Sequence, residues 1–272
     1  MTTKKVALIT GASTGIGKAT AILLAQHNYT VYAAARRLDK LLELEQWGIK
    51  VIPMDVTDEK SLVNGVERIF KAENHIDILI NNAGYGGYGS VEDVSMKDAK
   101  RQLEVNLFSA ARLIQLVLPK MRANRFGKIV NISSIGGKFA TPFGGWYHAS
   151  KFALEGLSDS LRNEVKQFGI DVIVVEPGGV KSEWADITVE NLIKSSEKSA
   201  YKASVDRFAQ FLKKSTENNS EPIVIAKLIM EGIESKSPKF RYVGGYNAKL
   251  AVMARKLLSD QAFDKMILSQ MK

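Results

Sequence analysis

The sequence predicts an α/β protein: one doubly wound parallel sheet of about seven strands, with helices on both faces. Three observations carry this. Short β-branched runs alternate with longer helical stretches, the pattern of right-handed strand–helix–strand units. Several of the short runs are apolar without alternation, as expected of strands covered on both faces. A glycine-rich turn separates the first strand from the first helix.

In chain order, residues 6–10 form the first strand and 16–27 the first helix. Strands 30–35 and 50–53 follow, then helix 59–72 and strand 76–80. A long helical stretch, 96–122, leads to strand 128–132, and helix 147–168 leads to strand 171–175. Helix 222–235 and strand 240–243 complete the alternation. With no linker or repeat before residue 180, the expectation is a single domain over residues 1–272. Residues 181–220 break the rhythm, and 181–211 carry helical patterning without a strand. An insertion beyond a strand's carboxyl end sits where such sheets bind ligands, so it is expected to be a substrate lid; a surface excursion is the alternative.

At 272 residues, 45% hydrophobic and 25% charged, the chain has the composition of a soluble globular protein with a substantial core. It has no cysteine, which excludes disulfides, thiolate catalysis and cysteine-ligated metals and suits a cytoplasmic location. His27, His75 and His148 lie far apart without ligand spacing, so no metal is predicted. Met1-Thr2-Thr3-Lys4-Lys5 runs straight into the first strand with no apolar leader core, and no run approaches the ~18 apolar residues of a membrane span. The net charge of +9 is scattered and mixed with acids, which reads as a solvated surface and not as a nucleic-acid interface. Leu250, Met253, Leu257, Leu258, Met266 and Ile267 could form an apolar helical stripe; packing on the domain or a partner subunit is preferred over a membrane surface.

The glycine-rich turn reads Thr10-Gly11-Ala12-Ser13-Thr14-Gly15-Ile16-Gly17. Glycines there allow a tight turn and close approach of backbone to a pyrophosphate, and the helix amino end offers free N–H groups. At the end of the second strand an NAD site places an acid to hold the ribose hydroxyl. Here Ala35 is followed by Arg36 and Arg37, which can pair with the 2′-phosphate of NADP. NADP(H) is therefore preferred, with NAD(H) possible. The alternative is a solvated arginine pair, since Asp39 and Glu43 are near enough to bind one of them.

Tyr147 and Lys151 stand at i and i+4, a spacing that puts both on one helix face. An ammonium there is expected to lower the tyrosine pKa from about 10 toward neutrality and make it a usable proton donor and acceptor.

Taken together these residues resemble the short-chain dehydrogenase/reductase family, which has single-domain Rossmann-like folds. The resemblance rests on the Thr10-Gly11-x-x-x-Gly15-x-Gly17 spacing, Asp55-Val56, Asn81-Asn82-Ala83-Gly84, Asn106, Ser134, Tyr147, Lys151 and Pro177-Gly178-Gly179-Val180. It is dense from residue 4 to about 184, with Ser182 where a threonine is usual, and looks closest to bacterial members related to hydroxysteroid and retinol dehydrogenases. It implies hydride transfer between NADP(H) and a carbonyl or secondary alcohol. By the same resemblance Ser134, Tyr147, Lys151 and Asn106 are the catalytic set. Ser134 would bind the carbonyl oxygen and Tyr147 would pass the proton. Lys151 would bond the nicotinamide ribose, and Asn106 would hold a relay water. The implied cofactor contacts are Gly11, Ser13, Thr14, Gly15, Ile16, Gly17, Arg36, Arg37, Asp55, Val56, Asn82, Ala83, Gly84, Tyr147, Lys151, Pro177, Gly178, Val180 and Ser182. Family members are usually homodimers or homotetramers, and Ala149, Ala153 and Gly156 would permit close packing of the Tyr147 helix.

Ser133 is assigned a structural role, and His148 is expected to face away from Tyr147, neighbouring helix positions being about 100° apart. Aromatics near these motifs point to an apolar, bulky substrate, with Tyr85, Phe143, Trp146 and Trp184 as the candidate contacts; packing of the lid or of a subunit contact is the alternative use of the same rings. A non-catalytic dinucleotide-binding regulator is the competing function, and it would predict decay of the catalytic set, all four members of which are present.

Overall fold

A computed structural model describes residues 4–269, so Met1, Thr2 and Thr3 of the amino-terminal reading lie outside the described residues. Seven strands form the sheet: β1 (Val6–Thr10), β2 (Thr30–Ala35), β3 (Lys50–Pro53), β4 (Ile78–Asn81), β5 (Gly127–Ile132), β6 (Ile170–Pro177) and β7 (Arg241–Gly244). All pairings are parallel, in the order β3-β2-β1-β4-β5-β6-β7. The order reverses between β1 and β4, which opens a crevice at their carboxyl ends; doubly wound sheets bind ligands there.

Helices α1 (Gly15–Gln26) and α9 (Pro222–Glu234) cover one face. Ile9, Ala21, Leu24, Ile225 and Ile229 interdigitate beneath them. The other face carries α3 (Glu59–Glu73), α5 (Ser109–Ala123) and α6 (Gly145–Val165), over Leu8, Ile69, Leu113, Val117 and Leu161. Strand side chains alternate across a pleat, so a run such as Val6-Ala7-Leu8-Ile9 supplies both cores at once. This is why the strands read as continuously apolar.

The stretch expected as one helix over 96–122 is interrupted. Helix α4 (Met96–Leu103) passes through a π-helical turn, Glu104–Phe108, before α5 begins. Such turns insert a residue and often sit at functional sites; this one carries Asn106. Sequence patterning missed the five-residue α2 (Leu38–Leu42). Residues 181–220 hold two helices, α7 (Glu183–Ser195) and α8 (Lys202–Thr216), and a bridge between Val180 and Ser220 ties the two ends of the segment together. Beneath the helices lies a third apolar cluster built from Tyr88, Tyr147, Val189, Leu192, Val205 and Phe208.

After β7 come α10 (Ala248–Leu257) and α11 (Asp260–Ser269). Phe263 of α11 is buried edge-on against Phe139 at 5.2 Å, which docks the end of the chain beside the active-site turn. The expected apolar stripe is split: Leu250, Met253, Leu257 and Leu258 are exposed, while Met266 and Ile267 are half-buried. Among the described residues no helix is long and apolar enough to cross a membrane, and no cluster of potential metal ligands forms.

Candidate active site

The glycine turn is held from β4. Asn82 Nδ2 donates to the carbonyls of Thr10 and Gly11 at 2.9 and 3.1 Å, and Thr10 Oγ1 accepts from the amides of Asn82 and Ala83, each at 3.1 Å. Gly11 lies in the left-handed region (φ 65°), and a Cβ there would stand 2.8 Å from Ala83 Cα. A Cβ on Gly17 would meet Asn82 Nδ2 and the Gly11 carbonyl at 2.5 Å. Thr14 precedes α1 without making a side-chain cap, and the first helical turn has no acid. The absent side chains let the turn close tightly on Asn82 and Ala83, which leaves backbone N–H donors at a positive helix end and fits a dinucleotide pyrophosphate. Ser182 also closes on it, its Cβ lying 3.2 Å from where one on Gly15 would be, and its hydroxyl caps α7 through the Trp184 amide.

Arg37 reaches across this turn. Its Nη2 is 3.3 Å from both Ser13 Oγ and Thr14 Oγ1, and its Nη1 donates to Glu183 Oε2 at 2.7 Å. Lys40 takes the other Glu183 oxygen at 2.5 Å. The partner of Arg37 is thus on α7, while Glu43, one expected alternative, binds Lys18. Arg36 is exposed and contributes to holding the Asp55 carboxyl low. Burial raises that carboxyl, but hydrogen bonds from Thr57 and the nearby Arg36 and Arg101 outweigh it. Asp55 Oδ1 accepts from Thr57 N and Oγ1, and Val56 packs half-buried on the second core.

Ser134, Tyr147 and Lys151 converge from β5 and α6. Ser134 Oγ lies 3.4 Å from the Pro177 carbonyl and accepts from the Gly136 amide at 3.0 Å. A Cβ on Gly136 would lie 3.2 Å from Tyr147 Cε1, so the phenol ring packs directly on this turn. Lys151 Nζ lies 6.0 Å from the Tyr147 ring centroid and donates to the Ile132 carbonyl at 2.8 Å.

Burial shapes their protonation. Tyr147 is pushed up to about 12 by desolvation, with the Ser134 hydroxyl opposing. Lys151 is pushed down to about 8 by desolvation, with Glu155 opposing. The expected depression of Tyr147 does not appear here: loss of water on burial pushes it up, and the Ser134 hydroxyl opposes that only in part.

Asn106 ties the Asn-Asn-Ala-Gly turn to this set. Its Oδ1 accepts from the Tyr85 amide, and its Nδ2 donates to the Tyr85 carbonyl and to Ser150 Oγ, all at 3.0–3.1 Å. A Cβ on Gly84 would lie 3.3 Å from Asn106 Oδ1 and 3.6 Å from Lys151 Nζ, so the two side chains meet at that glycine. Both amide protons are engaged with protein groups, which makes Asn106 an anchor for the loop. Gln102 adds a second anchor, donating to the Tyr85 carbonyl and accepting from Gly87.

Of the predicted substrate aromatics, Trp184 and Phe143 join Tyr147. Trp184 lies 5.4 Å from the Tyr147 ring and 6.1 Å from Tyr88, and Phe143 lies 5.6 Å from Phe208. Trp146 and Tyr85 are not part of this cluster. Trp146 precedes Tyr147 on α6, and its indole N–H is buried without a partner. Tyr85 is half-buried in the loop pinned by Asn106.

Tyr88, an aromatic that flanks the same loop as Tyr85, and Phe208, which has no sequence signal, complete the cluster. Buried Tyr88 packs on Tyr147 at 5.6 Å, and Phe208 stacks on Tyr88 at 6.3 Å. Tyr88 follows the Asn-Asn-Ala-Gly motif closely enough to be found, whereas Phe208 comes from α8 and has no local signal. His148 contacts Tyr147 edge-on at 5.5 Å, but its nitrogens bind the Gly136 carbonyl and the Thr141 amide, so it braces the Ser134 turn. Ser133 Oγ is buried without a partner. Asn81 extends the buried network through Asn131 to Ser158.

Comparison with known proteins agrees with this geometry. Residues 5–192 match the family model for short chain dehydrogenases. The chain is 36% identical over 238 residues to the 3-ketodihydrosphingosine reductase of Bacteroides thetaiotaomicron, covering 87% of this chain and 86% of that protein. It is 29% identical over 278 residues to the NADPH-dependent 3-dehydrocapnine reductase of Ornithobacterium rhinotracheale, covering 98% and 97%. The crystal structure of a short-chain dehydrogenase from Streptomyces avermitilis superposes with a TM-score of 0.84 at 29% identity, over 99% of this chain and 98% of that one. The chain shares the fold of that structure and belongs to the short-chain dehydrogenase/reductase family, oxidoreductases that act on CH–OH or C=O groups with a nicotinamide cofactor.

Proposed function

We propose that this enzyme reduces a bulky, apolar ketone with NADPH, using Tyr147 as proton donor. The observation that carries the reading is the position of Tyr147. Its ring is buried between the Ser134 turn and an aromatic wall of Tyr88, Trp184 and Phe208, with Lys151 one helical turn away. The glycine turn and Pro177-Gly178 would hold the dinucleotide, whose nicotinamide would supply the hydride to the substrate carbon. Ser134 donates to the carbonyl oxygen and steadies the charge that develops there. Tyr147 then gives that oxygen a proton. Lys151, a buried cation, favours the phenolate left behind and would hold the nicotinamide ribose. Asn106 keeps the Gly84–Tyr85 turn in place, and Val180 and Ser182 line the closing segment.

The preference for NADP(H) is supported by Arg36 and Arg37 with no acid at the end of β2, and by the NADPH-dependent relative. The ketone class is supported by the aromatic wall and by the names of two relatives, reductases of 3-ketodihydrosphingosine and 3-dehydrocapnine. Helices α7 and α8 roof the cluster as a lid over residues 181–220. Phe152, Ala149 and Gly156 lie exposed on α6, a surface suited to a second copy of the chain in a homodimer or homotetramer. The cysteine-free sequence fits a reducing cytoplasm.

The test is NADPH oxidation with a series of ketones of increasing chain length. Tyr147→Phe should lower turnover by about 10²–10⁴-fold, the usual worth of general acid catalysis, while NADPH still binds. Unchanged turnover in that variant would overturn the assignment.

A further inference from the structure

Behind the catalytic set lies a buried ion cluster that the reaction above does not use. Tyr147, Lys151 and Glu155 stand at i, i+4 and i+8 on α6, and Glu155 is only 5% exposed. Its Oε2 accepts from Lys138 Nζ at 2.7 Å and from Arg241 Nε at 3.0 Å. Glu176, 1% exposed, places Oε1 3.3 Å from Lys138 and 3.2 Å from Arg241 without a hydrogen bond. Lys138 follows the Ser134 turn, and Glu176 immediately precedes Pro177-Gly178. The cluster thus joins the backs of three segments whose fronts carry Ser134, the Tyr147–Lys151 helix and the nicotinamide loop.

We propose that Glu155, supported by Glu176, is a positioning residue that acts through Lys151, its carboxylate one helical turn away favouring the charged form of the ammonium. This rests on the catalytic reading of Tyr147 and Lys151 given above. The groups facing Glu155 are Lys151, Asp159 and Arg162 on its own helix, Lys138 after β5, Glu176 on β6 and Arg241 on β7. Arg241 also donates to Asp159, which binds Arg162. Apart from Lys151 the cluster balances, with Glu155, Glu176 and Asp159 against Lys138, Arg162 and Arg241. Neutralising one carboxylate leaves Lys151 beside a net positive group.

Buried ion pairs are poor sources of stability, and apolar residues of the same volume often do as well. An apolar residue could not supply a negative field at Lys151. The buried ammonium donates to the Ile132 carbonyl, and the Glu155 carboxylate one turn along the helix favours its protonation.

The experiment is the pH profile of kcat for ketone reduction, with melting followed in parallel, for Glu155→Gln and Glu155→Asp. Glutamine keeps the shape and removes the charge. Its alkaline limb should move about one pH unit toward acid, a tenfold loss in kcat at a fixed pH beyond the limb, while KM for the ketone stays within twofold. Aspartate keeps the charge and should restore the wild-type limb. A glutamine profile superimposable on wild type, or an equal shift in the aspartate variant, would overturn the inference. If Glu155→Gln does not fold, Glu176→Gln decides it: a smaller acid shift supports the proposal and an unmoved limb ends it. Lys151→Met and Tyr147→Phe separate the two readings. If both retain turnover the catalytic assignment fails; if both lose it while Glu155→Gln keeps the wild-type profile, only the role of Glu155 fails.

Discussion

Arg37 and Glu183 meet at 2.7 Å beside the glycine turn, joining the end of β2 to the first residue of α7. The guanidinium also faces the Ser13 and Thr14 hydroxyls of the glycine turn. One cation therefore holds the Glu183 carboxylate and, in the reading proposed above, would also meet the 2′-phosphate of the cofactor.

Cofactor discrimination should follow from that sharing. A hydrogen bond to a charged group is worth about 1.5–3 kcal/mol, so Arg37→Ala should weaken NADPH by roughly 10- to 100-fold and leave NADH unaffected. Glu183→Gln removes the competing charge and should tighten NADPH a few-fold; the gain is small because the pair is about half exposed and surface ion pairs contribute about 0–1 kcal/mol. Fluorescence titration with both cofactors checks this. Equal changes for NADPH and NADH in either variant would sink the assignment.

Much of this arrangement was legible in the sequence because it is local. The glycine turn, the Asn-Asn-Ala-Gly segment and the Tyr147–Lys151 spacing each need only a few neighbouring residues, and the strands betray themselves by being apolar on both faces. What escaped detection depends on distant contacts. Glu183 finds Arg37 across 146 positions, Arg241 reaches Glu155 across 86, and Phe208 joins Tyr88 only when α8 folds over the site. Trp146 was misplaced for a simpler reason: lying between Ser134 and Tyr147 in sequence does not fix which way a helical side chain points. The reversal at Tyr147 is of the same kind, since spacing reveals a charge nearby but not the loss of water around both groups.

Phe143 holds a strained backbone for the sake of its ring. Its φ of 64° lies in the left-handed region, which costs a non-glycine residue of order 1–3 kcal/mol. Its carbonyl accepts from the Gly89 amide at 2.7 Å, and its ring packs between Tyr201 and Phe208 of the lid. Phe143→Gly should relieve the backbone while opening the wall. KM should rise several-fold for a long-chain ketone and stay constant for a short one. An equal effect on both would place the ring outside the substrate path.

Two glycine substitutions should behave oppositely. Gly17→Ala would drive a methyl to 2.5 Å from Asn82 Nδ2 and the Gly11 carbonyl, and overpacking of this sort costs about 1–3 kcal/mol. NADPH affinity should fall with it, because the turn must open to admit the methyl. Gly156→Ala on α6 meets nothing within 4 Å and should stabilise the chain by about 0.5–1 kcal/mol. Urea unfolding of both variants tests the pair. A stabilised Gly17→Ala would show that the turn is looser than its contacts imply, and a destabilised Gly156→Ala would mark that surface as covered by a second chain.

Stability and activity should move in opposite directions above neutral pH. Lys151 is lowered from 10.5 to about 8 by burial, so between those values the folded chain holds fewer protons than the unfolded chain. Stability tied to this group is therefore lowest below pH 8 and grows as pH rises toward 10.5, by up to about 3 kcal/mol. Tyr147, raised to about 12, stays protonated throughout that window in the folded chain and begins to cost stability only above the unfolded value near 10. Ketone reduction requires both protons, so kcat should fall above pH 8 as Lys151 becomes neutral. Lys151→Met has nothing to titrate at this position. Urea unfolding at pH 7.5, 8.5 and 9.5 should show wild type gaining on the variant while its own turnover declines. Parallel stability curves for the two proteins would mean that Lys151 keeps an ordinary pKa, and that the alkaline loss of activity belongs to another group.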